Sequence, residues 1–519
     1  MSYSSRICLL GSLSAVGLLA LAGGCDGDES TDNSSTSSTS TSSSSSSSSG
    51  STGGGGTGGT TSGGGGGGMG GSAGGAGGVG GAGGSGGAGG GGGSQPSQQA
   101  YYRGDFDTDG VDQVGSIEWP GPNQAVLQPT GLTGGDEINS IALSPDGLEL
   151  AIAGRDTAND TSVLNVYAPD GTGTPTTIVA AANVTNTAAE FTRLAYSPDG
   201  NWIAYVGALD IAGVNAVYVS PSDGTTVPKA VSQVPNNTQL DASTIAWAAD
   251  STHLVYTGDL DTHNVTGIWS VDTSATTPVP VPLVPLNLLS NNNEIAASAQ
   301  FDSTGKVYFI SSHTAGTDYL FRCDMDGQNL EVVPGTDLQN GGGQAEVGAW
   351  AISPDGLTVA FAADSPAAAL LQVYVMPLSG TTSTVVSNVQ ATAPNTGTRG
   401  PVWGHLIWSP DGTMIAAVSD WEVNSTGEDN DFAAFLLPSS GSAGGVRIVQ
   451  PSVADDNQDV GAISFTSDSA RLVIMGDLVA NNATEIYSTD DLTTADQSVQ
   501  TIRVEEVPSG GDVDGILVP

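Results

Sequence analysis

A short apolar hairpin occurs seven times along the chain, and this repetition limits the fold more than any other feature. The first copy is IALSPDGLELAIAG, in which Ser-Pro-Asp-Gly joins two apolar runs. Proline presets the backbone at the second turn position, and Asp and Gly suit the positions after it. The copies are 51 to 57 residues apart, a period that indicates a stack of equivalent units. Counted at the third turn residue, they fall at Asp146, Asp199, Asp250, Thr304, Asp355, Asp411 and Asp468.

Two more short apolar runs follow each hairpin, as in NAVYVSPSDG, and no helical periodicity appears. Four short strands per period are typical of a propeller blade. The sequence therefore predicts an all-β fold, a seven-bladed β-propeller of four-stranded antiparallel blades. We expect VGSIEWPGPNQAVLQP, before the first hairpin, to pair with the last blade and close the ring. In the alternative, this segment and the tail DVDGILVP form an eighth blade.

The Ser-Pro-Asp-Gly hairpins resemble the repeats of TolB-type, WD40-like propellers, which are related to the propeller of prolyl oligopeptidases. The resemblance covers residues 101–519 and implies a fold rather than an activity. The N-terminal domain of TolB has no counterpart in this chain. Within residues 101–519 the Gly-x-Ser-x-Gly motif of a hydrolase domain is also missing, and its matches at 70–74 and 83–87 fall in the glycine-rich linker, which argues against a peptidase.

The N-terminal hundred residues have a different composition. An apolar stretch ending in LALAGG precedes Cys25 and is too short for a comfortable membrane span. The stretch and the cysteine resemble the lipobox of bacterial lipoproteins. This resemblance implies that the leader is cleaved before Cys25 and that Cys25 is lipidated. The alternative is an ordinary signal peptide followed by an incidental cysteine. Ser, Thr and Gly then dominate to residue 100, which predicts a disordered tether. The predicted domains are a lipoprotein signal peptide at 1–24, the lipidated Cys25 with its linker at 25–100, and the propeller at 101–519.

The formal net charge of −43 excludes nucleic acid as a partner, because such a field repels phosphate backbones. It attracts cations, including calcium. Cysteine usage is equally restrictive: Cys8 leaves with the leader and Cys25 carries lipid, so Cys323 has no partner for an intramolecular disulfide. Stability must therefore come from burial, and we expect Cys323 to be a small core residue.

An acidic residue occurs nine or ten positions before the turn anchor in six of the seven repeats. If each hairpin begins on the innermost strand, these carboxylates lie near one mouth of the central channel. They either attract cations or accept hydrogen bonds from loop amides and order the start of each blade. These channel-mouth acids are Glu137, Glu190, Asp241, Glu294, Glu346 and Asp459.

The segment GDFDTDGVDQ begins like a D-x-D-x-D-G calcium loop, in which alternate oxygens surround a hard cation. It departs from the EF-hand at the twelfth position, where Ser116 replaces glutamate. This segment is either a calcium site or a solvated acidic turn. Calcium is the only cofactor that the sequence suggests. The candidate ligands are Asp105, Asp107, Asp109, Asp112 and Gln113.

The sequence gives little sign of catalysis, because its four histidines fall in different repeats without metal-ligand spacing. Most tryptophans lie in strands and are expected in the core, whereas Trp403 and Trp421 are candidate partner contacts. We therefore predict a non-enzymatic, lipid-anchored protein of the bacterial cell envelope, facing the periplasm or the cell surface. Its propeller would bind an envelope protein, a peptide or a glycan. The alternative is a polysaccharide-active lyase or hydrolase with its site at the channel mouth.

Overall fold

The structure is a computed structural model, and it describes most of the C-terminal four-fifths of the chain. The described residues are 98–105, 112–119, 123–127, 137–156, 161–179, 191–232, 242–262, 265–289, 295–312, 318–340, 343–344, 347–364, 371–387, 401–419, 432–441, 445–449, 460–478, 484–489, 491–495, 497, 503–505 and 513–518.

Apolar, β-branched runs separated by turns fold here into short antiparallel strands. The strands of the first half are β1 Gln98–Gly104, β2 Gln113–Trp119, β3 Asn123–Leu127, β4 Glu137–Leu143, β5 Leu150–Asp156, β6 Thr161–Tyr167, β7 Thr176–Val179, β8 Phe191–Tyr196, β9 Trp202–Gly207, β10 Ala216–Pro221, β11 Lys229–Ala230, β12 Ala242–Trp247, β13 His253–Thr262, β14 Val265–Asp272, β15 Val281–Pro282, β16 Ile295–Phe301 and β17 Val307–Ser311.

The second half continues in the same way, apart from a small hairpin of two strands, β20 and β21. Its strands are β18 Tyr319–Cys323, β19 Glu331–Val332, β20 Gln339–Asn340, β21 Gly343–Gln344, β22 Val347–Ile352, β23 Thr358–Asp364, β24 Leu371–Pro377, β25 Thr384–Val385, β26 Pro401–Trp408, β27 Met414–Ser419, β28 Ala433–Pro438, β29 Val446–Val449, β30 Val460–Phe465, β31 Leu472–Gly476, β32 Glu485–Ser488, β33 Arg503–Glu505 and β34 Val513–Leu517.

These strands form eight four-stranded sheets, which we number as blades from the N-terminus. Blades 2 to 8 each use four consecutive strands, and the first of the four lies innermost, against the first strand of the next blade. Blade 1 has the order β3-β2-β1-β34, so its innermost strand comes from the C-terminus. The remaining blades are β4–β7, β8–β11, β12–β15, β16–β19, β22–β25, β26–β29 and β30–β33.

The core of the described molecule lies between the blades. Eight clusters of buried apolar residues are present, and each draws its side chains from two neighbouring blades. The ring closes through two of them: Ile516 packs with Ile486 between blades 8 and 1, and Leu517 packs with Ile141 between blades 1 and 2. Each blade therefore hides its two faces on its neighbours, as a propeller requires.

The prediction of seven blades is wrong, and the count of eight, which the sequence left as the alternative, is correct. VGSIEWPGPNQAVLQP supplies β2 and β3, and DVDGILVP supplies β34, but these strands do not complete blade 8. They form a blade of their own with β1, in which Tyr101 pairs with Leu517 and Arg103 with Gly515. Blade 8 already has its own four strands.

The propeller has two faces. On the turn face, the first strand of a blade passes into the second through the recurring turn, and the third passes into the fourth. On the opposite entry face, each first strand begins and each second strand ends. Strand β1 begins on the turn face, where β34 ends, because the two strands are antiparallel. Within the described part of the chain, no helix has the length and apolar character needed to cross a bilayer.

Candidate binding faces of the propeller

The channel-mouth acids are represented in the described residues by Glu137, at the start of β4. Its exposed carboxylate lies on the entry face, with Oε2 3.8 Å from Nη1 of Arg155. This partly exposed ion pair is of the kind that contributes little to stability. The other five predicted acids lie outside the described residues, namely Glu190, Asp241, Glu294, Glu346 and Asp459.

The register shifts, as a β-bulge or a larger irregularity, near the start of every first strand from β4 to β30. In β4 the bulge lies between Ile138 and Ser140, and in β30 between Val460 and Ala462. A bulge bends its strand and re-aims the side chains beside it. The register shift is thus a recurring feature of how blades 2 to 8 begin.

The candidate calcium loop lies between β1 and β2 in the chain, and its described ends, Asp105 and Asp112, are on the entry face. Asp105, Asp112 and Gln113 are described, whereas Asp107 and Asp109 lie outside the described residues. Within the described residues no group of three or more His, Cys, Asp or Glu could hold a metal ion. The calcium site therefore stays a prediction.

Asp112 has a structural role that the sequence did not indicate. Its Oδ2 accepts a hydrogen bond from the Ile138 amide at 2.8 Å, while Nη1 of Arg103 donates to the Ile138 carbonyl at 3.0 Å. Blade 1 therefore holds both polar groups of one residue in blade 2. Burial raises the pKa of Asp112, while the Ile138 amide and the Arg103 charge oppose that rise. Arg193 lies in β8, the first strand of blade 3. Burial and the positive charge of Arg103 both lower the pKa of its guanidinium.

The predicted partner contacts are not tested. Trp403 lies in β26, but its side chain is outside what the structure describes, and Trp421 and Cys25 lie outside the described residues. The predicted core roles of Trp247, Trp350 and Trp408 are confirmed, since all three are buried.

Cys323 is also in the core, as expected. Burial raises the pKa of its thiol to about 12, so the nucleophilic thiolate is disfavoured at neutral pH.

Each of the seven recurring turns carries an aspartate that accepts the amide two residues further on, at 2.8 to 3.1 Å. Because these bonds favour the charged carboxylate, the Ser144 hydroxyl and the Leu148 amide lower the pKa of Asp146. The turn chemistry therefore also places a set of negative charges on the turn face.

Exposed apolar side chains lie on the same face. Some directly follow a recurring turn, one starts the second strand of its blade, and the others lie in the connection from a third to a fourth strand. They are Leu148 at 68% exposure, Leu357 at 58%, Trp202 at 37%, Val227 at 61% and Val279 at 70%. The turn face therefore carries both carboxylates and single exposed apolar side chains.

A cleft of about 410 Å³ opens on the turn face between blades 6 and 7. Its walls include the two Ser-Pro-Asp-Gly turns, at 353–355 and 410–412, and the ring of Trp408. Thr358, Val375, Pro377, Thr384, Ser439 and Ser440 complete its lining. This cleft was not predicted from the sequence, where its signal is the short Thr358 at the position that Glu149 occupies in blade 2.

No protein-family model matches the chain, and no curated protein matches it. Solved structures do match. A putative TolB from Agrobacterium tumefaciens is 18% identical, over 56% of this chain and 89% of its own, with a TM-score of 0.32. TolB from Acinetobacter baumannii is 15% identical, over 66% of this chain and 78% of its own, also with a TM-score of 0.32. An oligogalacturonate lyase in complex with manganese is 13% identical, over 76% and 98%, with a TM-score of 0.45.

The β-propeller expected from the sequence is confirmed as a fold by the arrangement of its four-stranded blades. At these identities the likeness concerns architecture alone, and propellers of one architecture carry unrelated functions. Any function must therefore be argued from the surfaces of this chain.

Proposed function

We propose that this chain is a lipid-anchored protein of the bacterial cell envelope whose propeller is a non-catalytic platform for binding another protein. The observation that carries the proposal is the turn face, where exposed apolar side chains stand among fixed carboxylates beside a preformed cleft. A rigid surface of this kind binds without paying for loop ordering.

The acidic and apolar character of the turn face favours a protein partner with basic and apolar groups over a nucleic acid or an anionic glycan. A cationic partner is drawn in by long-range attraction, which raises the association rate, and the apolar contacts then slow dissociation. The net charge of −43 acts in the same direction over the whole molecule.

The test of the platform is cross-linked capture from the envelopes of the native bacterium. The bait is the full chain, and the variants are Leu148→Asp and Leu357→Asp on the turn face. Val126→Asp, a comparably chosen exposed valine on the outer strand β3, is the matched control. We expect the turn-face variants to lose the partners that the wild type and the control retain. Identical partner sets for all four baits would contradict the assignment of the turn face.

The anchor is tested separately. A Cys25→Ser variant cannot take a thioether-linked lipid, so we expect it in the soluble fraction and without incorporated radiolabelled fatty acid. Replacing Cys323, which is buried in blade 5, is the control and should leave the protein in the membrane fraction. Fatty-acid labelling that survives Cys25→Ser would remove the lipoprotein part of the proposal.

A further inference from the structure

We propose that the cleft between blades 6 and 7 is a subsite for a lysine or arginine side chain presented by the partner beside apolar or proline residues. The inference rests on the proposed binding function and supplies the chemistry that one part of the turn face recognises.

Most other junctions for which the turn face is described are closed by a specific contact. Between blades 3 and 4, Oγ of Ser251 accepts the Asp199 amide at 3.0 Å, and between blades 7 and 8, Oγ of Ser469 accepts the Asp411 amide at 3.1 Å. Between blades 5 and 6, the amide of Ser303 donates to the Gly356 carbonyl at 3.2 Å. In each case a serine ties the turn of one blade to that of its neighbour.

The junction of blades 2 and 3 has Ser-Pro-Asp-Gly turns on both sides and lacks such a serine, as does the junction of blades 6 and 7. There the space is bridged by a long side chain, because the Tyr196 hydroxyl donates to Oε2 of Glu149 at 3.4 Å. In blades 6 and 7 the equivalent positions hold Thr358 and Trp408. Threonine is too short to reach across, and the indole N–H donates instead to the Ala351 carbonyl at 3.0 Å. The cleft is the space that the contact of Glu149 with Tyr196 bridges between blades 2 and 3 and that Thr358 and Trp408 leave open.

The lining of the cleft fits the two parts of a basic side chain. Pro354, Pro410 and the Trp408 ring offer apolar surface to an alkyl stem. Asp355 and Asp411 lie in opposite walls and offer carboxylates to its charged head. The Ser353 hydroxyl and the Leu357 amide both donate to Oδ1 of Asp355. These two turn hydrogen bonds therefore leave Oδ2 to the charged head of the ligand.

Asp411 keeps its charge in this setting. Burial opposes ionisation, but hydrogen bonds from Ser409 and Thr413 outweigh it and hold the pKa of Asp411 below its usual value. Two carboxylates in one cleft of an acidic protein repel each other, and a cation between them relieves that repulsion. Because the cleft is partly enclosed, salt screens the attraction between these carboxylates and a bound cation less than it would on an open surface.

The test uses blocked tripeptides and the full chain at low ionic strength, with calorimetry as the measurement. The probes are acetyl-Pro-Arg-Pro-amide and the same peptide with citrulline, which keeps the shape of arginine but has no charge. We expect the arginine peptide to bind about ten-fold more tightly or better, the effect of one charge-assisted contact, and to weaken as salt is added. Equal affinity for the two peptides, or no binding of either at millimolar concentration, would overturn the proposal.

Variants locate the binding. Asp355→Asn and Asp411→Asn keep the Oδ1 acceptor on which the turns depend, so we expect folded proteins that have lost most of the preference for arginine over citrulline. Thr358→Gln should block the cleft without changing its charge. Asp146→Asn, at the matching turn position of blade 2, is the control and should retain the preference. If Asp146→Asn loses the preference and the cleft variants keep it, the subsite is wrongly placed.

The outcome separates this inference from the proposed function. Loss of captured partners in Leu148→Asp and Leu357→Asp, together with indifference to arginine in the peptide assay, would refute the subsite and leave the platform standing. Arginine-specific binding together with unchanged partner sets would support the subsite and refute the platform on this face.

Discussion

At the scale of single residues, the recurring turn shows how one position serves two purposes. Its last residue has φ between 68° and 84° in the five copies that end in glycine. Ser251 and Ser469 occupy the same position with φ of 58° and 59°, a conformation that costs a serine about 1 kcal/mol. In return, each serine hydroxyl accepts an amide of the neighbouring blade. The departures from the motif therefore join blades.

Substitution of Ser251 separates the two effects. Ser251→Ala keeps the strained backbone and removes the acceptor of the Asp199 amide, so we expect a loss of about 1 kcal/mol. Ser251→Gly also removes the acceptor but relieves the strain, so its stability should exceed that of Ser251→Ala. Gly147→Ala measures the backbone cost alone, because a Cβ there meets nothing within 4 Å. Calorimetric unfolding ranks the variants; a glycine variant no more stable than the alanine variant would contradict the strain argument.

The Glu149 carboxylate should make stability depend on pH. Its pKa is raised, first by burial and then by the charge of Asp146. A raised folded pKa means that ionisation destabilises the fold, so this group's contribution is fully present below its ordinary pKa near 4.5 and is lost as pH rises through the folded value. We therefore expect the thermal midpoint of Glu149→Gln, relative to wild type, to increase between pH 4 and pH 7. A difference that stays constant over this range would show that burial does not disfavour the charge.

At the scale of strands, the hairpin motif predicted the architecture because its turn residues act locally. The Ser-Pro-Asp-Gly turns form between first and second strands, and the apolar runs beside them are buried, as the pattern indicated. The motif failed at blade 1 for a physical reason. Its innermost pair consists of β1, at 98–104, and β34, at 513–517, which are too far apart in the sequence to be joined by a turn. A count of hairpins therefore gives one blade fewer than the ring contains.

Strand junctions also depend on buried indoles. The Trp247 indole N–H donates to the Ala195 carbonyl at 3.1 Å, and Trp408 makes the equivalent bond to Ala351, so each ties a first strand to the previous blade. Trp247→Phe and Trp408→Phe leave a buried carbonyl without this donor, and we expect each to cost about 1 to 3 kcal/mol by calorimetric unfolding. Trp202→Phe is the control, since that side chain is partly exposed. Losses no larger than that of the control would mean that packing alone joins the strands.

At the scale of the whole molecule, the recurring turns were predicted from the sequence and the cleft was not, while the channel-mouth acids stay a prediction. Charge and turn chemistry are properties of single segments, and a periodic sequence displays them directly. A cleft depends on which two side chains face each other across a blade junction. Thr358 and Trp408 are 50 residues apart in the sequence. The cleft that they line forms only when blades 6 and 7 pack together.

The closure of the ring yields the last prediction. Val513, Ile516, Leu517 and Val518 are all buried, so removal of 513–519 exposes their partners in blades 8, 1 and 2 together with the unpaired edge of β1. At about 1.5 to 3 kcal/mol for each buried side chain, we expect a chain that unfolds far below wild type and associates through the open edge. Removal of Pro519 alone is the control. The peptide GDVDGILVP added in trans should raise the thermal midpoint with the logarithm of its concentration, because it supplies β34 to the vacant edge. A truncated chain as stable as wild type would mean that β34 does not close the ring, and failure of the peptide alone would mean that covalent continuity is needed to seat it.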